Sequence, residues 1–172
     1  MADGILKVGT ITTSSGSGTI TVPSTVTIAG AIASTPAFSA RLNANQTLVT
    51  ATWTKGNFNT EIFDSDGKYD TSNYRFTPGL AGYYRVSAHG YLQCTDTNFG
   101  KVSIYKNGSS YAFTANGYPF SNYQTQQIEV VMYLDADDYV EAFFNQEAGS
   151  DKILLGENGT ESNFAAERII GA

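Results

Sequence analysis

Carboxylates gathered on a turn are the first residues of this chain with chemistry to offer. Asp64-Ser65-Asp66-Gly67-Lys68-Tyr69-Asp70 is the densest such loop, and oxygen-rich loops hold calcium. Its glycine arrives too early for an EF-hand loop, and Lys68 stands where an oxygen ligand is needed. A solvated turn with Asx hydrogen bonds is the better reading. Asp135, Asp137 and Asp138 form a second acidic cluster, read as a hairpin loop that aids solubility. No metal and no cofactor is assigned. Ser87 and His89 lie two residues apart on one strand face. A nucleophile and its base need a third, orienting group, so His89 reads as structural. No carboxylate pair sits in a recognisable cleft motif, and the expectation is a protein that is not an enzyme. Trp53, Tyr111, Tyr118 and Tyr123 offer rigid contact area for a glycan or another partner, and serve equally well in a core or a subunit seam.

Composition narrows the classes further. The chain of 172 residues carries a formal net charge of -6, with one Cys and one His. Ten scattered Lys and Arg under an acidic excess do not replace phosphate counterions, which argues against nucleic acid. A single Cys94 excludes an intrachain disulfide and a Cys-based zinc site. No apolar run is long enough to enter a membrane as a helix. The start MADGILKVGT lacks the basic region and apolar stretch of a signal peptide.

The elements that must position these residues are strands. Thr, Ser, Asn and Gly supply more than a third of the chain, a composition of short strands and turns. Expected strands are Phe38–Leu42, Gln46–Thr54, Arg75–Thr77, Gly82–Thr95, Gly100–Lys106, Ser110–Ala115, Thr125–Leu134, Tyr139–Asn145 and Asn163–Ile170. Asp66-Gly67, Pro78-Gly79, Asn107-Gly108, Asn116-Gly117 and Asn158-Gly159 punctuate them, and Asn107-Gly108 favours a type I′ hairpin. So many short strands at this spacing form a sandwich or jelly roll.

All 22 aromatic residues lie between Phe38 and Phe164. That confinement divides the chain into a segment of residues 1–35 and a head of residues 36–172. The first segment has β-branched residues in alternation, with Ile5, Val8, Ile11, Ile20, Val22 and Ile28 as its apolar positions. Without aromatics it buries too little area to stand alone, so it reads as a strand-forming anchor that folds against neighbouring copies or a larger surface.

Tyr69-Asp70, Phe76-Thr77, Gly82 and Tyr84 fall in an ungapped pattern that resembles the globular head of the complement first-component q-type family, whose jelly roll is shared with tumour necrosis factor. Ala37-Phe38-Ser39-Ala40, Val102 through Gly108, Leu134 through Val140, and Asn163-Phe164-Ala165-Ala166 agree with it in order. The resemblance covers most of residues 36–170 and implies an all-β antiparallel jelly-roll head that assembles as a homotrimer. In such a head Phe38, Tyr69, Phe76, Tyr84 and Phe164 would lie in the core or at the trimer seam. Tyr74, Val86, Glu167 and Arg168 depart from the family pattern, the last two where the closing strand is usually apolar.

The leader MADGILKVGTITTSSGSGTITVP resembles the N-terminal segment of virion structural proteins of tailed bacteriophages. The two resemblances together imply a virion protein: a trimeric capsid decoration or cement knob held to the shell by its N-terminal strands. The alternative is a tail-fibre tip that reads a host surface glycan. A leader of this length reaches only about 100 Å when extended, too short for a fibre shaft, which favours the knob. The expected partners are two further copies of the chain and shell or tail proteins, in the virion.

Overall fold

Side-chain alternation builds two sheets with a shared interior. Along the strand β7 (Gly82–Gln93), Tyr84, Val86, Ala88 and Leu92 point into the core while Tyr83, Arg85, Ser87, His89 and Tyr91 point away from it. The computed structural model describes residues 35–93, 99–116, 122–157, 159 and 161–169. One edge of β7 is taken along its whole length by β10 (Tyr123–Leu134), in antiparallel register from Gly82↔Leu134 to Gln93↔Tyr123. The other edge is divided between β13 (Asn163–Arg168) and β12 (Lys152–Leu154). Beyond them come β1 (Ala37–Arg41), β4 (Thr60–Asp64) and β2 (Gln46–Leu48), completing a seven-stranded sheet.

The second sheet has six strands. It centres on β11 (Val140–Gln146), which pairs with β8 (Gly100–Lys106), β6 (Arg75–Phe76) and β3 (Thr54–Lys55); β9 (Ser109–Asn116) and β5 (Tyr69–Asp70) lie outside β8 and β6. All pairings are antiparallel, and neighbours far apart in sequence, such as β1 with β13, make the chain an antiparallel jelly-roll sandwich. The hairpin between β8 and β9 turns at Asn107 and Gly108, both with positive φ (51° and 78°), as a type I′ turn requires.

Aromatic rings fill the interior. Phe38 stacks on Tyr69 at 4.4 Å and on Phe76 at 4.7 Å, and meets Phe164 edge-on at 5.0 Å. Tyr84 packs on Phe76. The two buried phenols find backbone acceptors, Tyr69 Oη on Phe58 O at 2.8 Å and Tyr84 Oη on Leu80 O at 2.7 Å. The core-or-seam residues of the sequence reading therefore lie inside a single subunit. Toward the start of β10 the interior turns polar. Gln124 and Gln126 point inward over Gly100, where a Cβ would come within 2.5 Å of Gln124 Oε1. Gln124 Oε1 and both polar atoms of the Gln126 amide are buried and have no hydrogen-bond partner.

Several expected strands take different bounds. Gln46–Thr54 breaks into β2 and the start of β3, because residues 49–53 turn away, Ala51 with a φ of 56°. The strands β4, β5 and β12 were not expected. They are short, and their Asp, Ser, Glu and Lys neighbours mask the alternation. The continuation of β7 to Thr95, Gly117 of the turn Asn116-Gly117 and residue 170 lie outside the described residues. The anchor positions Ile5, Val8, Ile11, Ile20, Val22 and Ile28 do so as well.

Candidate functional site

The acidic loops resolve into turn chemistry. Asp64 accepts from the backbone N of Asp66 and of Tyr69. Asp70 accepts from Ser72 N and Oγ and from Asn73 N and Nδ2, and these bonds, the Ser72 hydroxyl foremost, hold its carboxyl well below the usual range. Asp138 is gripped by Lys106 Nζ at 2.7 Å, Asn107 Nδ2 at 2.6 Å and Asp135 N at 2.7 Å. That lowers its pKa to about 2, with the Lys106 contact the largest cause. Carboxylates so occupied are latches on their own loops. Among the described residues no three His, Cys, Asp or Glu side chains gather as a metal site.

The expected surface aromatics do not share one surface. Trp53 meets Tyr105 and Phe113, both edge-on at 6.4 Å, on the outer side of the six-stranded sheet, where Tyr105 also packs on Phe143. Tyr123 instead stacks on Tyr91 at 5.3 Å on the seven-stranded sheet. Tyr111 is exposed on β9, and Tyr118 and Cys94 lie outside the described residues.

A more coherent feature is the outward face of the seven-stranded sheet. Register aligns Ser39 on β1, Ala165 on β13, Ser87 on β7 and Glu129 on β10 in one row across four strands. The next row runs Ala37, Glu167, Arg85, Val131, and the row on the other side Arg41, Asn163, His89, Gln127. Small side chains form the floor of a trough of about 370 Å³ walled by Phe63, Arg85, Glu129 and Glu167. A second hollow continues it along His89, Thr114, Gln127 and Asn163. Arg85 bridges two carboxylates, with Nη1 3.0 Å from Glu167 Oε1 and Nε 3.6 Å from Glu129 Oε1. Two tyrosine pairs flank these rows, Tyr83 with Tyr133 and Tyr91 with Tyr123. Tyr83, Tyr133 and Val131 are each about half exposed, at 46%, 47% and 53%. His89 is half-buried, and that desolvation lowers its pKa.

Sequence reasoning missed this face. Its signal was present as small or charged residues at alternate positions opposite the buried ones. Glu167 and Arg168, the departures from the family pattern, separate here: Glu167 joins the face, while Arg168 turns back to donate to Ala81 O at 3.1 Å.

With strand order and face in view, the comparisons decide the family. The C1q domain is matched over residues 37–165. The chain belongs to the C1q domain family. The globular domain of the zebrafish complement 1qA protein is similar in structure, with TM-score 0.56 and 16% identity over 78% of this chain and 96% of that one. Eiger TNF from S. frugiperda gives 0.55 and 10% over 80% and 93%, and murine APRIL 0.57 and 11% over 78% and 99%. No curated protein sequence matches the chain.

The comparisons overturn the virion assignment. The similar proteins are complement and tumour-necrosis-factor-type proteins of animals, so the capsid knob, the tail-fibre tip, the shell and tail partners and the virion location are withdrawn. The likeness behind that assignment rested on a leader of Thr, Ser, Gly, Ile and Val, a composition that any strand-forming segment shares. The family is carried by the aromatic head.

Proposed function

We propose that the chain is a homotrimeric, non-catalytic binding head, and that its copies join through the trough face of the seven-stranded sheet. The observation that carries this is the exposure of Tyr83, Tyr133, Val131 and Phe63 around a floor of Ala37, Ser39, Ser87 and Ala165. Large rings beside small residues give the knobs and the room that a packed interface needs, and closed rings are the usual form of such assemblies. Three heads held together present three equal binding surfaces, so weak single contacts add through effective concentration. The outer side of the six-stranded sheet, with Trp53 and Phe113, then faces a ligand. Residues 1–35 are the strand-forming segment and residues 36–172 the head. Light scattering on the eluting full-length protein tests the assembly: a mass of three chains supports it, and a single chain at micromolar concentration removes it. Limited proteolysis tests the division, which requires cleavage to stop near residue 36.

A further inference from the structure

The trough carries more charge than a plain packing face needs. Arg85, Glu129 and Glu167 are each half exposed or more, with side chains 50%, 64% and 58% accessible. In an isolated head such pairs contribute little. Covered by another copy they lose solvent, and the balance of their charges then matters. At neutral pH Arg85 lies between the carboxylates of Glu129 and Glu167, with His89 uncharged in the adjoining row. The groups facing His89 are Gln127 and Glu129 from β10, Asn163 from β13 and Thr114 from β9, while Arg41, beyond Asn163 in the same row, donates to Gly159 O at 2.9 Å. From β4, the uncharged Thr60 and Phe63 share the rows of Arg41 and Ser39.

We propose that this face is an acid-labile seam between copies of the chain, closed at neutral pH and opened when Glu129, Glu167 and His89 take up protons. The inference rests on the assembly proposed above and names its regulation. Protonation leaves Arg85 and His89 as uncompensated cations on every copy. Closing the seam also desolvates His89 further, which disfavours its charged form. Opening therefore binds protons, and falling pH drives it.

The test is the mass of the full-length protein in solution across pH, with near-ultraviolet circular dichroism to follow the packed aromatic core. The expected result is three chains at about pH 7.5 and single folded chains at about pH 5. Glu129→Gln with Glu167→Gln mimics the acid state of Arg85, so this variant should dissociate at about pH 7.5 at concentrations where the parent does not. His89→Gln should move the dissociation midpoint to lower pH. Three chains at both pH values, or a double variant as tightly assembled as the parent, overturns the acid seam and leaves the trimer standing. Single chains at neutral pH overturn both. Because the double variant is read at neutral pH, acid unfolding of the parent does not blunt the test.

Discussion

Lys55 Nζ stands 2.9 Å from Glu141 Oε1, on a carboxylate whose side chain is only 4% exposed. The same oxygen receives Arg75 Nη2 at 3.1 Å, and the Arg75 guanidinium lies 3.7 Å from the centre of the Tyr139 ring. One buried acid thus ties β3 and β6 to β11, which has few other pairings to these short strands. Glu141→Gln keeps the shape and removes the charge that two cations share. We expect a loss of about 2 kcal/mol, read as a lower urea midpoint at unchanged slope.

Gly90→Ala should be costly without any strain in φ. A Cβ at that position would lie 2.3 Å from Phe144 Cε1 and 2.9 Å from Leu154 Cδ1. Overpacking of this kind costs about 1–3 kcal/mol. The matching double variant with Phe144→Leu should lose less than the two single losses added, a coupling that a mutant cycle in urea measures.

Asp138 gives the head an acid limb. Its folded pKa of about 2 lies below the ordinary value, so between the two the folded state binds fewer protons than the unfolded chain. Its contribution is complete above about pH 4 and is lost as pH falls toward the folded value. Asp138→Asn should lower the melting temperature at neutral pH and flatten its decline in that acid range.

Ser87 lies on the trough floor and outside the core. Ser87→Arg places bulk and charge where a second copy would sit. The expected result is a folded single chain whose near-ultraviolet circular dichroism matches the parent and whose urea midpoint is lower by the stability that assembly supplies. A variant that elutes as three chains would show that copies join elsewhere.

The sandwich was readable in the sequence wherever a strand was long and one-sided. Strand β8 was expected with its observed bounds, and the Asn107-Gly108 hairpin was expected at its observed residues, because alternation and turn chemistry agree there. Strands β4 and β5 were hidden, since a strand of two to five residues among Asp and Ser carries too few inward positions to show a period. Phe38, Tyr69, Phe76 and Phe164, expected in the core or at a seam, pack on one another in the interior. The trough stayed invisible because a face exists only once register is known. Ser39, Ser87, Glu129 and Ala165 are far apart in sequence and become one row only through three strand pairings.

The unpaired Oε1 of Gln124 and the unpaired amide of Gln126 divide the head into a stiff half and a soft half. Around Phe38 every buried phenol has its acceptor and the rings interlock. Around Gly100 three buried polar atoms have none, and each such atom costs about 1–3 kcal/mol relative to a solvated one. Opening that half to water recovers the cost, so it should breathe while the other half stays shut. Amide hydrogen exchange along β10 should therefore slow steadily from Gln124 to Met132, a gradient along one strand that no change of sheet partner explains.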